Sequence, residues 1–151
     1  MTVTVTRPGE AEALRAGPVT FRVLQDGGAV GGRCGVVEFM LPAGWDGPPQ
    51  HIHREHDETF YVLTGTVKFT SGTNILIAPV GSLVTAPTGA PHTFANPDPR
   101  APASLLCILT PERYIGYFRE LAMLEPSPGG VLAPEKMLEI MGRYATEPFR
   151  P

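Results

Sequence analysis

Residues 48–65, PPQHIHREHDETFYVLTG, hold three of the chain's four histidines, His51, His53 and His56, together with the carboxylates Glu55, Asp57 and Glu58. The fourth, His92, lies in PTGAPHTFAN, residues 87–96. Two short stretches thus take every imidazole in a chain of 151 residues. Either these side chains converge on an ion, or they decorate a polar hairpin end.

Strand parity bears on the choice. His51 and His53 are two residues apart, and on a strand such residues point to the same face. If the run from Asp57 to Gly65 is extended, Glu58, Phe60 and Val62 share one face and Thr59, Tyr61 and Leu63 the other. His92 opens a further strand and shares its face with Phe94. Three imidazoles and one carboxylate fill four positions of a transition-metal sphere, and an octahedral ion keeps about two more for water, oxygen or substrate.

Outward from this stretch the pattern stays β. Strand-like runs cover 19–25, 35–42, 57–65, 66–72, 74–80, 81–87, 92–96 and 104–110. Glycine and proline, 17 of each, punctuate them. Many short runs with turn residues between them predict an all-β sandwich or barrel. Residues 96–102, NPDPRAP, read as a polar loop. The tail differs. Over 111–124, Tyr114, Tyr117, Phe118, Leu121 and Leu124 recur at helical spacing, with Pro111 suited to a first turn. EPSPGG, 125–130, breaks that helix. A second is expected over 133–145, with Met137, Leu138, Met141 and Tyr144 on one face. Both stripes suit packing against the barrel, and Tyr114, Tyr117 or Phe118 is placed to lid its mouth. The chain therefore reads as one domain, a barrel over 1–110 and a helical extension over 111–151 packed on it.

The net charge is -3 and no Lys/Arg cluster occurs, which argues against nucleic acid as a partner. No run approaches the ~18 apolar residues of a membrane span, and the N-terminus lacks the apolar stretch of a signal peptide. The expected compartment is the cytoplasm, where Cys34 and Cys107 stay reduced, Cys107 as a buried small hydrophobe.

The two histidine stretches resemble the motifs of the cupin superfamily. The first motif reads G-x5-H-x-H-x3–4-E-x6-G, and His51, His53, Glu58 and Gly65 match it in type and spacing. Gly44 lies one residue further from His51 than the pattern asks, which suggests a longer turn. The second reads G-x5-P-x-G-x2-H-x3-N, and Gly81, Pro87, Gly89, His92 and Asn96 match every position. The resemblance implies a jelly-roll barrel in which His51, His53, Glu58 and His92 bind one divalent metal, whether iron, nickel, manganese, cobalt, copper or zinc. Gly65 and Gly81 are expected at tight hairpin ends. APTGAPH forms the turn that delivers His92, and Asn96 caps a turn. His56 matches no motif position and is expected as a solvated rim histidine. Glu55 and Asp57 read as surface charges.

A single barrel with a helical tail is similar to the quercetin-dioxygenase-like monocupins. That likeness implies dioxygenation of an aromatic hydroxyketone, with Glu58 also accepting the substrate hydroxyl proton. Phe60 and Phe94 would flank the metal and make the pocket apolar. No Lys or Arg falls on the metal face of either motif, although Lys68 and Arg54 could reach inward, so a strongly anionic substrate is disfavoured. The alternatives are a metal-dependent isomerase or cyclase, and a small-molecule-binding domain without catalysis. Cupins of this kind pair as homodimers, often through an N-terminal strand, and MTVTVT alternates as such a strand would.

Overall fold

The computed structural model describes residues 2–124 and 132–150, so the expected helix breaker at 125–130 lies outside the described residues. The described residues form eleven strands and two α-helices. The strands are β1 (Glu12–Ala16), β2 (Val19–Gln25), β3 (Gly35–Leu41), β4 (His51–His53), β5 (Asp57–Thr64), β6 (Thr66–Ser71), β7 (Asn74–Pro79), β8 (Leu83–Ala86), β9 (Thr93–Ala95), β10 (Ala103–Thr110) and β11 (Thr146–Pro148). The helices are α1 (Ile115–Ala122) and α2 (Pro134–Arg143). Each of the eight β-like runs between residues 19 and 110 coincides with a strand.

One antiparallel sheet runs β1-β2-β3-β10-β5-β8. The opposing layer is made of β7-β6-β9 and β11-β4, joined where His51 and His92 exchange both backbone hydrogen bonds at 3.0 Å. Alternation fixes which side chains enter the core. On β5, Glu58, Phe60 and Val62 are buried while Tyr61 is exposed. The interior is aromatic: Phe39 meets Phe94 edge-on at 5.4 Å, Phe60 lies 5.3 Å from Phe94, and Phe118 stacks on Phe21 at 5.3 Å.

The tail departs from expectation in three ways. Helix α1 starts at Ile115 rather than at Pro111, because Glu112 Oε1 accepts the backbone N–H groups of Tyr114 and Ile115 and so caps the helix later. On α2 the buried residues are Ile140 and Met141, while Leu138, expected inward, is 46% exposed. Beyond α2 the chain adds β11, which pairs with β4 in the register Thr146 to His53 and Pro148 to His51. At the other end, Glu12–Ala16 pairs with β2, whereas residues 2–6 form no strand and Val3 and Val5 are exposed.

Gly47 holds the approach to β4. Its φ is +83°, and a Cβ there would strike the carbonyl oxygen of Phe94. Asn96 pins the neighbouring loop: its amide donates to the carbonyls of Pro42 and Ala101, both at 2.9 Å, and its Oδ1 accepts the Asp98 N–H at 3.0 Å. The capping role read for Asn96 holds.

Candidate metal centre

His51 and His53 enter the barrel from β4, Glu58 from the start of β5, and His92 from the turn before β9. All four are buried, and one ligand atom from each lies within 4.8 Å of the others. Glu58 Oε2 is 3.0 Å from His92 Nε2 and 3.2 Å from His53 Nε2. Neighbouring donors around an ion held at about 2.1 Å are themselves about 3 Å apart, so the spacing suits a bound cation.

The outer nitrogens show which atoms face inward. His51 Nδ1–H donates to the Pro49 carbonyl at 3.0 Å, and His92 Nδ1–H to the Ala90 carbonyl at 3.1 Å. A carbonyl can only accept, so both protons sit on Nδ1. The Thr146 hydroxyl donates to the Tyr144 carbonyl at 3.1 Å, which leaves Oγ1 to accept from His53 Nδ1–H at 2.8 Å. With a proton on Nδ1 in all three, each imidazole in its neutral form aims an Nε2 lone pair at one point, next to a carboxylate. His53 Nε2 is buried without a hydrogen-bond partner. Four converging lone pairs repel unless a cation or a proton lies among them. The residues fit a divalent transition metal.

The protonation states divide: without an ion, His51 and His53 favour the neutral form and His92 favours holding a proton beside Glu58. Burial, with His92 and His53 close by, lowers His51 to about 3 from the ordinary 6.5. Burial also lowers His53, against the pull of Glu58. Burial alone would raise the Glu58 carboxyl, but the proximity of His53, with His56 and His92, holds it well below its ordinary value. Burial would lower His92, but its hydrogen bond to Glu58 raises it. His51 and His53 favour folding above pH 6.5, and that contribution drains away as pH falls, by up to about 1.4 kcal/mol per unit for each group. Glu58 acts in the same sense below its unfolded value. His92 acts oppositely, its contribution being complete below 6.5 and lost as pH rises through its raised value. The metal-free chain should accordingly lose stability from pH 6.5 to pH 4. Urea midpoints at pH 7, 6 and 5 check this, and a midpoint that rises on acidification contradicts it.

Four features were not anticipated. His56, expected as a solvated rim residue, is 1% exposed. Its ring lies 4.2 Å from His53 and 4.8 Å from Tyr114. The Arg54 and Glu55 side chains turn outward instead, Arg54 to pair with Glu147. Thr146 reaches His53 across 93 residues of sequence, a contact no local pattern announces. Cys107 is buried as expected, but its Sγ also lies 3.7 Å from Glu58 Oε1. Asp57 is partly buried and accepts both the N–H and the hydroxyl of Thr88, at 2.7 and 2.8 Å, which steadies the turn that carries His92.

Aromatic side chains pack around the cluster. The Tyr114 ring packs 4.6 Å from His53 and stacks on Tyr117 at 4.3 Å. Phe60 lies 6.1 Å from His92. Arg54 is engaged at the surface, and Lys68 occupies the strand face opposite buried Val67 and Phe69.

A β-barrel with a buried three-histidine, one-carboxylate cluster defines the class: a candidate metalloprotein of jelly-roll type. A Cupin domain family model matches residues 37–109, and the chain belongs to the cupin superfamily. Solved structures agree in fold. Polyketide cyclase RemF from Streptomyces resistomycificus is 25% identical over 76% of this chain and 82% of that one, with a TM-score of 0.61. KdgF from a Halomonas species is 19% identical over 75% and 97%, TM-score 0.63. A predicted oxalate decarboxylase from Thermotoga maritima is 19% identical over 72% and 98%, TM-score 0.64. No curated protein sequence matches the chain. None of the described helices is long and apolar enough to cross a membrane.

Proposed function

We propose that this chain is a metal-dependent enzyme acting on an aromatic or polyketide-like hydroxy-carbonyl compound, with dioxygenation as its reaction. The observation that carries the reading is the setting of the cluster: four inward donors under aromatic side chains, with Arg54 and Lys68 turned away. His51, His53, Glu58 and His92 would hold one divalent ion, which when bound acidifies a substrate hydroxyl and supplies Lewis-acid or redox chemistry. Glu58 receives the hydroxyl proton at Oε2, the oxygen on the histidine side. Phe60, Phe94, Tyr114 and Tyr117 restrict water and favour a flat, apolar substrate. The free thiols of Cys34 and Cys107 suit a reducing, cytoplasmic setting.

Cyclisation is a second reading, favoured by the 25% identity to a polyketide cyclase. The two separate on oxygen. Metal-loaded protein given a flavonol should consume oxygen in step with substrate loss. A polyketide chain converted by loss of water, without oxygen uptake, would favour the cyclase. Tight binding with no product in either assay would leave a binding protein.

A homodimer belongs to the same proposal. Residues 2–5 extend, exposed, from the N-terminus, and β7 with its neighbours exposes Ile75, Ile77, Val80 and Leu83 at 60–64%. Light scattering at micromolar concentration should give twice the chain mass of 16.2 kDa, and a monomer refutes it.

A further inference from the structure

His56 has no role in the four-residue cluster, yet it is one of the most deeply buried side chains, and both of its ring nitrogens lack a hydrogen-bond partner. Leaving two polar atoms unpaired inside a protein costs on the order of 1–3 kcal/mol each, so such a ring calls for an explanation. Its surroundings supply one. The ring is clamped between His53 and Tyr114, tilted by 34° and 38°. Its Nε2 faces Glu58 Oε1 at 3.8 Å.

Glu58 uses its two oxygens differently. Oε2 lies among the histidine nitrogens. Oε1 is turned away from them toward Cys107 Sγ, at 3.7 Å, and His56 Nε2. A thiol is a weak donor. An imidazole N–H is a strong one, and a carboxylate acceptor makes the bond stronger still.

We propose that His56 is a positioning residue for the metal centre: its Nε2–H donates to Glu58 Oε1 and keeps Oε2 presented to the ion. A shift of a few tenths of an ångström in each partner brings the pair into hydrogen-bond range. The arrangement parallels the one on the other three ligands, whose outer atoms are held by Pro49, Thr146 and Ala90. It completes the set, with an outer partner for every inward donor. The inference rests on the metal-site reading.

The test compares three proteins by chelator competition with zinc. The first is the native chain. The second, His56→Phe, keeps the ring between His53 and Tyr114 but cannot donate. The third, His56→Gln, restores a donor. We expect about a tenfold loss of zinc affinity in His56→Phe and recovery to within about threefold in His56→Gln. Equal affinity in all three, or equal weakening in both variants, overturns the positioning role and leaves His56 as packing. The tautomer gives a check that needs no variant. In the zinc-loaded native chain, long-range nitrogen–proton NMR should place the His56 proton on Nε2, and a proton on Nδ1 overturns the proposal. If the native chain binds no zinc, the metal-site reading itself has failed, which the first titration shows separately.

Discussion

Replacing Glu58 with Gln should lower turnover by about 10²- to 10⁴-fold while leaving most of the metal bound. The amide oxygen still presents a lone pair to the ion, and glutamine occupies nearly the same volume in a site where the native side chain is 3% exposed. What disappears is the base. A carboxylate held well below its ordinary pKa is ionised throughout the working range and accepts a proton only when a neighbouring hydroxyl has been acidified. Proton transfer by a placed side chain accounts for effects of this size. The check is steady-state turnover beside metal content on the same preparation. Unchanged turnover contradicts the base role, and lost metal with lost turnover assigns Glu58 to ligation alone.

Thr146→Val should weaken metal binding by about 10- to 100-fold without unfolding the chain. Valine matches threonine in shape, and the site is buried. The substitution removes the acceptor paired with His53 Nδ1–H, at 2.8 Å. The imidazole is then free to move its proton to Nε2, where it blocks the lone pair that faces Glu58. Thr146→Ser keeps the oxygen and should restore affinity. If valine binds metal as tightly as threonine, the Nδ1 proton is fixed by something other than Thr146.

Much of the architecture could be read from the chain because its runs alternate cleanly. Glu58, Phe60 and Val62 against Thr59, Tyr61 and Leu63 is a period of two that only a strand satisfies, and the burial of β5 follows it. The convergence of His51, His53, Glu58 and His92 was legible because two motifs with fixed spacing carry it. Other parts were hidden for physical reasons. Glu12–Ala16, EALRA, is made of good helix formers, and only pairing with β2 makes it a strand. Thr146 lies in a three-residue strand containing a proline, whose identity comes from its partner β4. His56 sits between charged neighbours, and the local sequence reads as a solvated loop. Its burial comes from Tyr114, more than fifty residues away, folding over the barrel from the N-terminus of α1. On α2 the apolar residues span more than one face, so periodicity alone does not choose Ile140 over Leu138.

The central claim is that three Nε2 atoms and one carboxylate oxygen meet on a single ion. Elemental analysis of untagged protein, dialysed and then reloaded separately with several divalent metals, tests it most directly. The account predicts about one tightly held ion per chain, absent from both His51→Ala and His92→Ala. Protein that retains no metal under any loading, or variants that retain it as well as the native chain does, would contradict it.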